Sequence, residues 1–190
     1  MRKILIATAL LLFVSAQSDA QFYKSFLPSP GFTSALQKIV LDFRLDYKTI
    51  QGDARLSQGE VETYESSVVL PGALSCTIYR FHSKRDTTAS WQGVMYQGDN
   101  YEDAVKAYKN LYRMVHKSQL RWIDRSAVGF KGELRDPKQG LSFAQTTLTL
   151  DVTDRRYASF VADIELSGGI AEWTVSLYLH SRQDDRAPLN

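Results

Sequence analysis

Residues 158–166, Ala-Ser-Phe-Val-Ala-Asp-Ile-Glu-Leu, and 173–179, Trp-Thr-Val-Ser-Leu-Tyr-Leu, decide how this chain folds. In the first, Ala158, Phe160, Ala162, Ile164 and Leu166 take every second position; in the second, Trp173, Val175, Leu177 and Leu179 do the same. Successive side chains of an extended strand point to opposite faces, so strict alternation sends one face of each segment into a core and leaves the other wet. Strands wet on one side belong to antiparallel sheets. Gly168-Gly169 lies between the two segments, and a connection that short permits only antiparallel pairing.

The same reading extends toward the N-terminus. Residues 142–152 place Thr146, Leu148, Leu150 and Val152 on one face, after the turn cluster Asp136-Pro137-Lys138-Gln139-Gly140, and residues 127–134 read as one strand before it. Residues 61–70 and 74–81 flank Pro71-Gly72, and 89–97 follow as a third strand. Two helices interrupt the strands. From Thr33 or Ser34 to Gly52, Leu36, Ile39, Val40, Phe43, Tyr47 and Ile50 recur at helical spacing, with Ser34 and Gln37 at capping-box distance. In the second helix Tyr101, Ala104, Val105, Tyr108, Leu111, Tyr112 and Val115 form the apolar stripe, Asp99 is the cap with Glu102 three residues on, and Arg113, His116 and Lys117 complement the negative end of the dipole.

These elements predict an α+β domain: two amphipathic helices packed on one face of a mainly antiparallel sheet of about seven strands, in the order α-βββ-α-ββββ. Helix with three strands, then helix with four, suggests two similar half-units sharing one sheet, although no residue-level repeat accompanies it. In element order alone the chain resembles the helix-plus-antiparallel-sheet scaffolds of secretion chaperones and cystatin-like proteins. Such a likeness fixes no function.

The first residues carry an address. Arg2 and Lys3, an apolar run over 4–14 and a polar, small-residue run over 15–20 have the layout of a cleavable signal peptide. The apolar run is 11 residues, against the roughly 20 that a membrane-spanning helix needs. Small residues at Val14 with Ala16 and at Ser18 with Ala20 mark two cleavage points, and the longer polar spacer favours the cut after Ala20. That leaves 170 of the 190 residues and takes the formal charge from +2 to +1. The expectation is a single domain over 21–182, a polar tail over 183–190, and no membrane span in the mature form. Balanced, interspersed charge gives no footprint for nucleic acid, and pairs such as Lys84-Arg85 and Arg155-Arg156 read as solvated turns. Cys76 is the only cysteine, which excludes a disulfide within the chain, and neither Asn100 nor Asn110 opens a glycosylation acceptor. Export with one cysteine and no acceptor points to a bacterial periplasm or its surroundings.

No chemistry-bearing motif stands out. Cys76 alternates with Leu74 and Ile78 and so reads as a buried, inert thiol. His82, His116 and His180 are far apart in sequence and have no second ligand at zinc spacing; His116 at a helix end and His180 on a polar strand face read as surface residues. Asp99, Glu102 and Asp103 lack the pattern of a calcium loop and sit where a helix favours negative charge. Gly129 and Gly132 lie within a strand pattern rather than at a strand-to-helix turn, and no G-x-S-x-G elbow occurs. No cofactor is implied.

Among the aromatic residues, Trp91 and Trp173 fall on buried stripes, whereas Trp122 follows the second helix between Arg121, Asp124 and Arg125. Arg121, Trp122 and Arg125 are therefore the candidate contacts for a ligand or protein partner, and the competing reading has Trp122 closing the helix end onto the sheet. The functional expectation is a non-enzymatic exported binding domain for an unknown protein or small ligand. The alternatives are a cell-envelope hydrolase with unidentified acidic residues and a subunit that pairs through an edge strand.

Overall fold

The computed structural model describes residues 27–82, 88–169 and 172–182. The expected signal segment at 1–20, the tail at 183–190 and the pair Lys84-Arg85 lie outside the described residues. Among the described residues two α-helices are present, α1 (Pro30–Asp42) and α2 (Tyr101–Lys117). Between them run β1 (Gln51–Gln58), β2 (Val61–Ser66), β3 (Ser75–Phe81) and β4 (Ala89–Gly98). After α2 come the two-residue strands β5 (Leu120–Arg121), β6 (Ala127–Val128) and β7 (Phe130–Lys131), then β8 (Phe143–Leu150), β9 (Phe160–Gly168) and β10 (Trp173–Ser181).

The fold is α+β, and its main sheet is antiparallel with eight strands in the order β1-β2-β3-β4-β10-β9-β8-β7, not about seven. The order is two mirrored runs: β1 to β4 lead inward from one edge, β7 to β10 lead inward from the other, and the last strands of the two runs meet at β4–β10, with β5 and β6 forming a separate pair. That seam carries a bulge, since Val175 faces Tyr96 while Ser176 faces Val94, leaving Met95 as the extra residue. Beyond the bulge Tyr96 shares a side with Val175, and its hydroxyl donates to the Asn100 carbonyl at 3.2 Å.

Four features differ from the sequence-based expectation, each for a local physical reason. First, α1 ends at Asp42 rather than Gly52. The Asp42 carboxylate accepts from the Thr49 hydroxyl and from the backbone N–H groups of Thr49 and Ile50, which turns the chain back through a short 3-10 turn and left-handed Asp46 and Tyr47. Phe43, Tyr47 and Ile50 still reach the core, so their spacing imitates a continued helix. The start also shifts, because the Ser29 hydroxyl caps Phe32 N–H at 3.1 Å with Pro30 at the first helical position. Second, β1 is an extra strand whose side chains are almost all exposed, so it carries no hydrophobic alternation. Third, residues 127–134 are not one strand: β6 pairs with β5 as a small hairpin, while β7 pairs with β8. Gly132 follows β7 at φ +148°, where an added Cβ would lie 2.5 Å from the Thr147 carbonyl oxygen. Fourth, the cap of α2 is Asn100, whose side chain accepts from Asp103 N–H at 3.0 Å, and not Asp99.

One core lies between the helices and one face of the sheet. Helix α2 crosses β4, β10 and β9 and contributes Ala104, Tyr108, Leu111 and Val115, while α1 contributes Phe32, Leu36, Ile39 and Val40. The sheet answers with Ile78, Trp91, Leu148, Phe160, Ile164, Leu166, Val175, Leu177 and Leu179. The buried polar atoms among them are satisfied: Tyr47 hydroxyl donates to the Leu179 carbonyl at 2.8 Å, and the Trp91 indole N–H donates to Ser66 at 3.0 Å. Gly168 leaves room for the Trp173 ring, which a Cβ would meet at 2.6 Å.

Candidate functional site

The alternation that fills the core also fixes the opposite face of the sheet. With Trp173 opposite Gly168, the β9–β10 register sets Asp163 against Tyr178, Glu165 against Ser176 and Val161 against His180. The β4–β10 register adds Gln92 opposite Tyr178, and β3 adds Tyr79 opposite Ser90 and Thr77 opposite Gln92. On the far side, β8 puts Thr147 opposite Asp163 and Gln145 opposite Glu165. A polar row, Thr147–Asp163–Tyr178–Gln92–Thr77, thus crosses five strands on the face away from α1 and α2.

A groove of about 640 Å³ lies on this face, lined by Tyr79, Phe81, Thr88, Ser90, Gln92, Glu165, Tyr178, His180 and Ser181. At its floor His180 Nε2 lies 2.8 Å from Asp163 Oδ2 and Nδ1 lies 3.0 Å from the Ser181 carbonyl oxygen. Both neighbours are acceptors, an arrangement that favours the doubly protonated ring. The hydrogen bond to Asp163 raises the His180 pKa against the opposing effect of burial. Burial pushes Asp163 up, but hydrogen bonds from His180, Thr147 and Gln145 outweigh it and leave its pKa lowered. Gln92 completes the ordered polar surface by donating to the Tyr178 hydroxyl at 2.8 Å.

Glu165 is the exception. It is half-buried beside this network, and among the described residues no hydrogen bond or ion pair reaches its carboxylate. Burial and the negative charge of Asp163 raise its pKa, partly offset by His180. Two carboxyls two residues apart on one strand are therefore pushed in opposite directions. Chemically, the doubly protonated ring has no free lone pair and in that state cannot serve as a general base. No hydroxyl nucleophile is bonded to it either, since Nδ1 serves a backbone carbonyl.

The residues singled out from the sequence lie elsewhere. Arg121, Trp122 and Arg125 share the β5–β6 hairpin: Arg121 is exposed with its N–H donated to Gln37 at 2.7 Å, and Arg125 is exposed at the turn with φ +71°. Trp122 is buried, with its ring edge-on to Tyr157 at 4.6 Å between centroids, and borders a shallow groove with Asp124, Asp151, Asp154 and Arg156. The hairpin brings the two arginines to the surface and turns the indole inward. Cys76 is buried, which raises its pKa. His82 pairs with Glu62, and His116 stacks on Tyr112. Among the described residues no three metal-ligating side chains cluster, and no helix is long and apolar enough to cross a membrane.

Sequence reasoning treated His180 as ordinary surface and missed Asp163, Glu165, Tyr178 and Gln92. Counting back from a turn at Gly168-Gly169 would set Asp163 opposite Thr174, so its pairing with Tyr178, diagonal to His180, could be read only from the register itself. No family model, curated protein or solved structure matches this chain.

Proposed function

We propose that this chain is an exported binding protein that holds a small ligand against the face of its sheet opposite α1 and α2. The observation that carries the reading is the His180–Asp163 pair, a charged, fully hydrogen-bonded floor beneath an open groove with aromatic walls. Concave surfaces that combine apolar walls with a few fixed polar groups are the usual form of small-molecule sites. A side chain whose hydrogen-bonding capacity is spent on holding its neighbours is suited to shaping a pocket rather than to moving protons. The test is a fragment screen read by backbone amide shifts: hits are expected to perturb 77–81, 88–94, 161–166 and 176–181 together. Hits confined to other surfaces would overturn the reading.

Export rests on the basic, apolar and small-residue order of residues 1–20. Expression in a secreting bacterial host is expected to yield a mature chain whose mass begins at Gln21; an intact chain retained in the cytosol would count against it.

One observation favours a hydrolase as the second reading, namely the opposed pKa shifts of Asp163 and Glu165. Their spacing of two residues along a strand is about 7 Å, within the range used by inverting glycoside hydrolases. Against it, the lone pairs of Asp163 are already engaged by His180 and Thr147. Turnover of chromogenic glycosides that disappears in Glu165→Gln would reinstate this reading.

A further inference from the structure

We propose that the ligand of this groove carries an organic ammonium group, seated between the Glu165 carboxylate and the aromatic rings of Tyr178 and Tyr79. The inference rests on the binding reading of the same groove and adds the class of its occupant.

Charge bookkeeping at the floor is the first support. His180 and Asp163 cancel each other, so Glu165 is left as one uncompensated negative charge on the wall. The described residues that line the groove include no lysine or arginine, and both N–H groups of His180 are already committed to Ser181 and Asp163. Among the described lining residues an anionic ligand would find no free charged donor. A neutral ligand can at most donate a hydrogen bond to Glu165, whereas a cation also compensates its charge as an ion pair.

The aromatic lining is the second support. Tyr178 lies diagonal to Glu165 across the β9–β10 ladder, and its hydroxyl is held by Gln92, which keeps the ring in place. Tyr79 stands one strand further along beside Ser90, and Phe81 continues the wall on β3. Aromatic faces beside a carboxylate form the usual seat for alkylated ammonium groups, which carry charge but bind water weakly. The raised pKa of Glu165 fits an ionised form that lacks its counter-charge in the free protein. Binding of a cation should therefore lower that pKa, release protons near it and strengthen as the pH rises through it.

Three probes of one shape separate the alternatives: choline, its neutral isostere 3,3-dimethylbutan-1-ol and the anion 3,3-dimethylbutanoate. Choline is expected to shift the amides of 163–166 and 176–180 and to bind about tenfold or more tighter than the alcohol. Glu165→Gln is expected to abolish that preference with little change in melting temperature, because the carboxylate holds no structural hydrogen bond. Equal binding of choline and the alcohol, insensitive to Glu165→Gln, would overturn the cation and leave the groove reading standing. Tighter binding of the anion would do the same. If none of the three probes shifts these amides, the ammonium proposal fails, and the separate fragment screen decides whether the groove binds anything. Should Glu165→Gln fold poorly, Tyr178→Leu with the same three probes gives the reading: loss of the choline preference supports the proposal and its retention overturns it.

Discussion

Removing the imidazole in His180→Ala leaves Asp163 as a buried carboxylate with only Thr147 and Gln145 as side-chain partners. Breaking a fully buried ion pair costs about 3–5 kcal/mol, because the remaining charge is stranded. Here the His180 side chain is 32% exposed and Asp163 8%. Water reaches the open side of the pair, and the cost falls to about 2 kcal/mol, within the range for hydrogen bonds to charged groups. For a domain of this size that corresponds to a melting temperature lower by about 4–8 °C.

The pH dependence separates the charge from simple loss of packing. The folded His180 pKa lies above its ordinary 6.5, so the protonated ring's contribution is complete below 6.5 and is lost as pH rises through the folded value. The folded Asp163 pKa lies below its ordinary 3.8, so its contribution is complete above 3.8 and is lost as pH falls through the folded value. The difference between wild type and His180→Ala should therefore be largest between those two ordinary values and narrow on both sides. Urea melts at three pH values, acidic, about 5.5 and alkaline, measure it directly. A difference that stays constant from pH 5.5 into the alkaline range, or grows there, would refute the charged pair and leave only packing.

Other substitutions test the rest of the account. Trp122→Ala should cost about 3 kcal/mol or more, since the buried indole packs on Tyr157; a near-unchanged melting temperature would return Trp122 to the surface. Asp42→Ala orphans two backbone N–H groups and the Thr49 hydroxyl at the α1–β1 turn, which should lower unfolding free energy by about 2 kcal/mol, and amide exchange at Thr49 and Ile50 should speed up alongside. Cys76, with its thiol raised by burial, should react slowly with a thiol reagent in the native state and quickly in urea; immediate full labelling of the native protein would be inconsistent with its position.

How much of this was legible follows from where each contact partner lies. The core faces of β9 and β10 could be read from alternation alone, because burial of every second side chain is a property of one strand at a time. The site occupies the other half of the same alternation. Asp163, Glu165, Tyr178 and His180 look like ordinary wet positions until β4 and β3 are set beside them, and that register depends on the bulge at Met95. The early end of α1 was hidden because Asp42 acts on residues seven and eight positions ahead while Phe43 and Tyr47 keep the helical spacing. β1 was hidden because an exposed hairpin arm has no buried face to write into its sequence. Trp122 stood out as an aromatic between arginines, and the inward turn of its ring depends on Tyr157, a residue from a distant 3-10 turn.

The mirrored strand order has a consequence for how the groove comes into being. Its wall is shared: Tyr79, Phe81, Ser90 and Gln92 come from the first run of strands, and Glu165, Tyr178 and His180 come from the second. The chain passes between the runs once, over residues 99–129, which carry α2, β5 and β6. Neither run holds a complete binding surface, and the β4–β10 ladder is the weld that creates it. A chain severed in that stretch becomes a pair of fragments whose reassociation and whose ligand affinity are one thermodynamically linked event. Any molecule that fits the groove would then act as the clasp that holds the fragments together.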